Sequence, residues 1–275
     1  MSYYKLLGLE REPFSTSPDP AFFYESREHR AALMRLMVEI RLKRGLSLIL
    51  GDVGTGKTTL SRKLFHLLQS RDDIIFHMIL DPTYDTEELF LDSLIRTLKI
   101  EVPPHATVLD YKEAIKRYLF QQGVEERKTV VLLIDEAQKL NLLSLEILRV
   151  LLNYETNEFK LLQLVLLAQM ELLPRLKPMK NFWDRINLKY VLNPLDEQET
   201  REMIEFRLKA AGYQPGIALF SADAIGEIYR ATQGYPRRIA MICHHALKTV
   251  VMDSRPMVDA ALIHQLMTQD AQISV

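Results

Sequence analysis

Short runs of apolar residues alternate with longer amphipathic segments between residues 46 and 192. The runs have the length of strands and predict five of them, at residues 46–50, 73–80, 129–135, 161–168 and 188–192. They are continuously apolar, which predicts a sheet that is covered on both faces. Because helical segments separate the strands, we expect parallel pairing with right-handed crossovers.

Polar capping residues mark the predicted helices of this region. Ser26 is expected to cap a helix that runs to about residue 44, after an irregular lead-in rich in proline and aromatic residues. Thr107 and Asp110 form a capping box for a helix that ends near residue 123. Further helices are predicted at residues 87–98, after Thr86, and at 144–157, starting from Ser144.

After Pro194 the pattern changes to helices alone, predicted at residues 197–211, 221–232, 236–252 and 256–268. We therefore predict an α/β core domain at residues 46–194, to which the lead-in and first helix at 1–45 also belong. A small all-helical domain is predicted at residues 195–275.

The segment SLILGDVGTGKTTLSRKL, Ser47–Leu64, contains the pattern G-x-x-x-x-G-K-[ST] between a predicted strand and a predicted helix. Glycines let the backbone turn its N–H groups onto a phosphate, and the helix N-terminus adds positive charge. Lys57 is suited to the β- and γ-phosphates and Thr58 to Mg²⁺. The alternative is a glycine-rich turn that matches by chance. The predicted nucleotide-binding residues are Gly51, Asp52, Val53, Gly54, Thr55, Gly56, Lys57, Thr58 and Thr59.

The phrase TVVLLIDEAQ places Asp135 and Glu136 at the carboxyl end of a predicted buried strand, where ligands of open α/β sheets bind. We expect Asp135 to hold Mg²⁺ and Glu136 to act as the base that polarises the attacking water. An acidic pair at a helix N-terminus is the alternative. Together the two motifs predict hydrolysis of a nucleoside triphosphate, and the lack of an N-K-x-D guanine-reading motif favours ATP over GTP.

The composition is that of an ordinary soluble globular protein, with 48% hydrophobic and 26% charged residues among 275. The net charge is −1, so no global electrostatic signal for nucleic acid exists. A basic cluster on the first helix fits a solvated helix face equally well; it consists of Arg35, Arg41, Lys43 and Arg44. The single cysteine, Cys243, suits a reducing compartment and is expected in the core. We see no signal peptide and no transmembrane segment, and we expect a cytoplasmic protein.

Longer phrases are more specific than the phosphate loop: PFSTSPDPAFFYESREHRAAL, VVLLIDEAQ, LLQLVLLAQMEL, DRINLKYVLNPLDEQET and GYPRRIAMICHHAL. Through them the sequence resembles, almost end to end, the AAA+ ATPases of the ExeA/GspA-type family associated with general secretion. The resemblance implies a P-loop NTPase fold of the AAA+ type, with a parallel five-stranded sheet flanked by helices and followed by a helical lid. It also implies ATP and Mg²⁺ as cofactors.

The resemblance assigns further roles. Gln169 is similar to the sensor-1 residue that contacts the γ-phosphate or the attacking water, although this chain has Ala-Gln-Met-Glu-Leu where the family usually has Gly-Gln-Pro-Glu-Leu. Arg185 resembles an arginine finger that acts on the neighbouring subunit, or it is a surface charge. Arg237 resembles the sensor-2 arginine of the lid, with Arg238 as the weaker candidate. Asp81 lies where related ATPases often place a polar switch residue.

The function implied is hydrolysis of ATP at the subunit interfaces of a homo-oligomer, ring or filament, that drives or regulates assembly of a secretion or export machinery. Family members carry a membrane segment and an envelope-binding region after the ATPase part, so we expect a stand-alone ATPase module or one with a separate partner. The alternative is a DNA-transposition or target-selection regulator resembling TnsC or MuB, against which the near-zero net charge speaks. A third possibility, a nucleotide-gated scaffold with negligible turnover, conflicts with an intact Glu136.

Overall fold

The computed structural model describes residues 2–15, 19–214, 216 and 218–273, so residues 16–18 of the predicted lead-in lie outside the described residues. The chain forms two compact units. One comprises residues 28–53 and 60–192 and is called the sheet unit here. The other comprises residues 1–27, 54–59 and 193–275 and is called the helical unit. The predicted domain boundaries stay a prediction.

A five-stranded parallel sheet forms the centre of the sheet unit, with the strand order β2-β3-β4-β1-β5. Parallel pairing and the number of strands are as the sequence predicts. The strands are β1 (Leu46–Leu50), β2 (Ile74–Ile79), β3 (Thr129–Ile134), β4 (Leu162–Ala168) and β5 (Ile186–Val191). In this order β4 lies between β1 and β3, a placement that the apolar pattern does not predict.

The helices lie between and after these strands. They are α1 (Tyr3–Leu6), α2 (Arg27–Arg41), α3 (Lys57–Leu68), α4 (Glu87–Leu98), α5 (Val108–Phe120), α6 (Leu142–Leu151), α7 (Leu173–Leu176), α8 (Lys180–Trp183), α9 (Glu197–Ala210), α10 (Ala222–Thr232), α11 (Pro236–Met252) and α12 (Ala260–Ile273). Thr86 caps α4 and the Thr107–Asp110 capping box starts α5, so both predictions are confirmed.

Both faces of the sheet are covered along its central strands, as the continuous apolar runs predict, whereas alternate residues of β5 are exposed. On one face, Ile49, Val131, Leu133, Val165 and Leu167 pack with apolar residues of α2 and α3. On the other face, alternate strand residues pack with apolar residues of α4, α5 and α6. All residues of β1 and β4 are buried. This double cover explains why the central strands contain hardly any polar residue.

Helix α6 differs from its prediction at both ends. Its cap is Asn141, whose Oδ1 accepts from the Ser144 N–H over 2.8 Å, so the helix begins before Ser144. It ends at Leu151 instead of continuing to residue 157, because residues 154–161 turn back on themselves. The Leu161 N–H donates to the Tyr154 carbonyl over 3.0 Å in that turn.

Helix α12 begins at Ala260, and its predicted start at Pro256 is wrong. The preceding residues are extended because Val258 pairs with the segment before α10: its N–H donates to the Leu219 carbonyl over 2.8 Å and its carbonyl accepts from Ser221 over 2.9 Å. Asp259 then caps the helix, since its Oδ1 accepts from the Leu262 N–H over 2.8 Å.

The helical unit has its own apolar core, formed by α9 to α12 together with residues of the N-terminal segment such as Phe14 and Phe22. Cys243 is fully buried in this core, as predicted, and burial raises the pKa of its thiol. Throughout the part of the chain that the structure describes, no helix combines the length and the apolar character needed to cross a membrane.

Candidate nucleotide-binding site

The glycine-rich segment connects β1 to α3, and Lys57 is the first residue of the helix. Gly54 and Gly56 have φ values of +87° and +97°, in the left-handed region that glycine occupies without a steric penalty. Gly51 donates its N–H to the Ala168 carbonyl over 3.1 Å, which ties the start of the loop to β4. The strand, loop and helix thus follow one another as the phosphate-binding motif requires.

The loop residues differ in exposure. Asp52 and Val53 are exposed, whereas Thr55 and Lys57 are buried. Thr58 and Thr59 occupy the first turn of α3, where backbone N–H groups have no partner within the helix. An anion at this helix start gains both from those donors and from the helix dipole.

Within the helical unit, Arg237 lies next to the loop residue Gly54. The Arg237 N–H approaches the Gly54 carbonyl at 3.4 Å, and a Cβ on Gly54 would lie 3.1 Å from the Arg237 Cβ. Arg237 is exposed and occupies the first turn of α11. The structure therefore brings the predicted lid arginine to the phosphate loop, although the two lie more than 180 residues apart in the chain.

Within the sheet unit, the carboxyl ends of β3, β4 and β1 lie side by side. Asp135 follows β3, Gln169 follows β4 and Gly51 follows β1. Ligands of open parallel sheets bind outside these ends of the strands. The strand order thus gathers three predicted site residues at one edge of the sheet.

The backbone at Asp135 and Glu136 is held in an unusual conformation. Asp135 is 2% exposed, and its N–H donates to the Ile79 carbonyl of β2 over 2.8 Å. Its Oδ1 accepts from the Glu136 N–H over 2.9 Å. Glu136 itself has φ 52° and ψ 35°, a left-handed conformation that costs free energy for any residue other than glycine. Such strain is concentrated at functional positions in proteins.

Gln138 contacts the side chain of Glu136, a relationship that the sequence analysis missed. Its Nε2 donates to Glu136 Oε2 over 2.6 Å, and its Oε1 accepts from the Gln169 N–H over 3.0 Å. The local phrase DEAQ contains Gln138, but the bond to Gln169 spans 31 residues and depends on the pairing of β3 with β4.

Arg175 of α7 donates hydrogen bonds to the turn that contains Gln138. The sequence analysis also missed this contact. Its Nη1 donates to the Gln138 carbonyl over 2.5 Å, and its Nη2 donates to the Leu140 carbonyl. Between β4 and α7, residues 170–172 form a 3₁₀ turn in which the Leu172 N–H donates to the Gln169 carbonyl over 3.1 Å. This turn contains Met170, where the family pattern Gly-Gln-Pro-Glu-Leu has proline.

Asp81 follows β2 at an exposed position. It accepts from Thr83 Oγ1 over 2.8 Å and from Lys139 Nζ over 3.2 Å. These hydrogen bonds, that of Thr83 first, lower the pKa of the Asp81 carboxyl. The switch role that the resemblance gives to Asp81 stays a prediction.

Arg185 is half-buried and directly precedes β5. Its Nη1 donates to the Asn181 carbonyl over 2.7 Å and its Nη2 to Asn153 Oδ1 over 2.6 Å. Both partners belong to the same unit, and they hold the guanidinium at the surface. Its role as a finger for a neighbouring subunit stays a prediction.

The residues present in each unit fit part of a magnesium nucleotide. Mg²⁺ is commonly held by one or two carboxylates together with substrate phosphates and waters, and in the sheet unit Asp135 has a carboxylate of that kind. In the helical unit Thr58, in the first turn of α3, has a hydroxyl oxygen. The left-handed glycines and the buried Lys57 fit the phosphates themselves.

Comparison with known proteins adds two relationships at the level of sequence. A family model described as an AAA domain matches residues 40–176. General secretion pathway protein A of Aeromonas hydrophila is 37% identical over 248 residues, which make up 89% of this chain and 44% of the relative. The chain therefore spans less than half the length of this relative.

Solved structures add relationships at the level of the fold. Cdc6p of Pyrobaculum aerophilum has a TM-score of 0.67 at 19% identity, covering 90% of this chain and 67% of that one. Drosophila ORC bound to DNA has a TM-score of 0.67 at 19% identity, covering 96% and 65%. The RuvB Holliday junction branch migration motor of Thermotoga maritima has a TM-score of 0.59 at 14% identity, covering 90% and 72%. Identities this low concern the fold alone.

Proposed function

We propose that this chain, which matches an AAA domain over residues 40–176 and is related to general secretion pathway protein A, hydrolyses ATP with Mg²⁺ at the subunit interfaces of a homo-oligomer. The observation that carries the proposal is the left-handed Gly54 and Gly56 followed by Lys57 at the first position of α3. This loop presents N–H groups, a helix N-terminus and a cation to one polyphosphate.

Each residue of the site has its own role in ATP binding and hydrolysis. The loop backbone binds the phosphates, and Lys57 interacts with the β- and γ-phosphates. Asp135 and Thr58 would hold Mg²⁺, which would neutralise phosphate charge. Glu136 accepts a hydrogen bond from the attacking water and polarises it. Gln169, at the end of the neighbouring strand β4, is assigned to the γ-phosphate or to the same water.

Two arginines add positive charge, which phosphoryl transfer requires because its transition state is diffuse and anionic. Arg237 contacts the nucleotide from the lid, a role supported by its proximity to Gly54. Arg185 acts on the ATP of the neighbouring subunit, a role supported by the hydrogen bonds that hold its guanidinium at the surface. Hydrolysis therefore depends on assembly into a ring or filament.

We further propose that the ATPase works in the cytoplasm, where ATP is supplied, and drives or regulates assembly of a secretion or export machinery. The support is the 37% identity to a protein named for general secretion. The partner is a protein of that machinery.

The first experiment measures binding of a fluorescent ATP analogue with Mg²⁺, together with steady-state ATP hydrolysis. Lys57→Ala is expected to abolish or greatly weaken binding, while Lys248→Ala, which removes an exposed lysine of α11, serves as the matched control and binds like the wild type. Glu136→Gln is expected to bind ATP but not to hydrolyse it at an appreciable rate. Wild-type hydrolysis by Glu136→Gln would reject the assignment of the base, and undiminished binding by Lys57→Ala would reject the site.

The second experiment distinguishes secretion from transposition. ATP hydrolysis is measured with and without duplex DNA at two salt concentrations. A rate that does not respond to DNA supports the secretion role. Strong stimulation that disappears at the higher salt concentration would instead favour a DNA-dependent regulator, because phosphate contacts release counterions and are salt-sensitive.

A further inference from the structure

We propose that Gln138 is a positioning residue for ATP hydrolysis, which fixes the Glu136 carboxylate and couples it to the end of β4 at Gln169. The inference rests on the proposed function of Glu136 as the base. It assigns a role to a residue that the sequence motifs left without one.

The chemistry of the two partners fixes the orientation of the Gln138 amide. A carboxylate only accepts hydrogen bonds, and a backbone N–H only donates them. The amide oxygen must therefore face the Gln169 N–H, at 3.0 Å, and the amide nitrogen must face Glu136 Oε2, at 2.6 Å. The side chain of Gln138 thus joins the base to the backbone of the neighbouring strand end.

The environment of Gln138 restricts its movement. The residue is 6% exposed, so its amide atoms depend on protein partners. Its own carbonyl accepts from Arg175 Nη1 over 2.5 Å, which holds the turn from the side of α7. A side chain that is fixed at the backbone and at both amide atoms transmits position more accurately than a solvated one.

The strain at Glu136 makes such a restraint necessary. The left-handed conformation at φ 52° is unfavourable for glutamate and persists only where surrounding contacts hold it. The bond from Gln138 supplies one of these contacts at the carboxylate itself. Without it, the carboxylate samples more rotamers and spends less time in hydrogen-bond reach of the attacking water. Loss of the bond should lower turnover without affecting ATP binding.

Two variants remove the hydrogen bond from Gln138 to Glu136. Gln138→Glu keeps an oxygen for the Gln169 N–H but places a second carboxylate beside Glu136. Gln138→Met has a similar volume, carries no charge and removes both bonds, so it stands in if Gln138→Glu folds poorly. Both are expected to lower kcat about 10- to 100-fold, the range for loss of a residue that orients a functional ligand. The KM for ATP should change less than about twofold, since ground-state binding is retained.

Gln163→Met is the matched control. Gln163 is also buried, and it also uses both amide atoms: its Oε1 accepts from the Gly45 N–H over 2.8 Å and its Nε2 donates to the Lys160 carbonyl over 2.7 Å. It lies near the amino end of β4, at the opposite edge of the sheet from Gln169. Gln163→Met should therefore lower the melting temperature as Gln138→Met does but leave kcat unchanged.

The deciding measurement is a double-mutant cycle with Glu136→Gln. If Gln138 acts through Glu136, Gln138→Met should cause no further loss of the residual turnover in the Glu136→Gln background. Wild-type kcat in both Gln138 variants, or losses that multiply in the double mutant, would overturn the inference while the proposed function stands. Wild-type turnover by Glu136→Gln alone would remove the proposed base and the inference together.

Discussion

Leu195 and Gly234 are in closer backbone contact than any side chain at position 234 would allow. The Leu195 N–H donates to the Gly234 carbonyl over 2.9 Å, and a Cβ on Gly234 would lie 1.9 Å from the Leu195 carbonyl oxygen. Gly234 precedes α11 by two residues, and α11 carries Arg237. The contact therefore sets where the proposed lid arginine begins its helix.

Gly234→Ala is expected to destabilise the protein by about 3 kcal/mol or more, because backbone strain and a backbone clash combine. Gly8→Ala is the control, since Gly8 has the same φ of +74° but no atom within 4 Å of an added Cβ. It should cost only about 1 kcal/mol, the penalty of the left-handed conformation alone. Urea unfolding measures both values, and equal losses would contradict the steric role of Leu195.

Asn141→Ala is expected to cost about 1 to 2 kcal/mol, because Asn141 is the cap of α6. Its side chain accepts from the Ser144 N–H over 2.8 Å and donates to the Tyr84 carbonyl over 2.7 Å. Asn141→Ser keeps a capping oxygen but loses the bond to Tyr84, so its free energy of unfolding should lie between those of the wild type and Asn141→Ala. A larger loss for Asn141→Ser than for Asn141→Ala would show that the cap is unimportant.

Arg185→Ala is expected to lower ATP hydrolysis about 10³-fold or more if its guanidinium acts across the subunit interface. Mixing it with Lys57→Ala tests the direction of action, because each protein alone is inactive while a mixed interface combines an intact loop with an intact arginine. The mixture should recover up to about a quarter of the wild-type rate, the share of such interfaces.

Asn153→Ala is the control for Arg185, since it removes the partner of Nη2 but keeps the guanidinium. Its hydrolysis rate should match that of the wild type. No recovery in the mixture, with each variant inactive and the oligomer intact, would exclude the finger role in trans.

His77 should make the protein less stable in mild acid. Burial, and next the charge of Lys99, lower the pKa of His77 below its usual 6.5, and its Nε2 lies 3.2 Å from the Tyr118 hydroxyl. Below about pH 6.5 the unfolded chain binds a proton that the folded chain resists, so the free energy of unfolding falls as the pH falls.

The stabilisation of the wild type relative to His77→Gln should therefore be full at pH 7.5 and smaller at pH 5.5. Thermal or urea unfolding at both values measures the difference, with Tyr118→Phe as a variant that removes the hydroxyl but keeps the titration. A difference that stays constant between the two pH values would contradict the lowered pKa.

Much of the fold could be predicted because its signals are local. The presence of all five strands, the Thr86 cap and the Thr107–Asp110 capping box were predicted correctly, since each depends on residues adjacent in the chain, although β5 begins two residues before its predicted start. The AAA fold and the relation to general secretion pathway protein A are confirmed as well. The predicted start of α12 was wrong because Val258 pairs with a segment almost 40 residues away. This pairing keeps the residues before Ala260 extended, although their sequence suits a helix.

The sequence by itself determined the phosphate loop, the acidic pair after β3 and the class of ATPase. Each depends on a motif of contiguous residues, which can be recognised without knowing the tertiary structure. Only the tertiary structure decided that β4 separates β1 from β3, that Gln138 bonds both Glu136 and Gln169, and that Gly234 must fit against Leu195. The physical reason is the distance along the chain over which each kind of interaction acts. Apolar periodicity and caps act over a few residues, whereas strand order and side-chain bonds arise only when distant segments share one buried core.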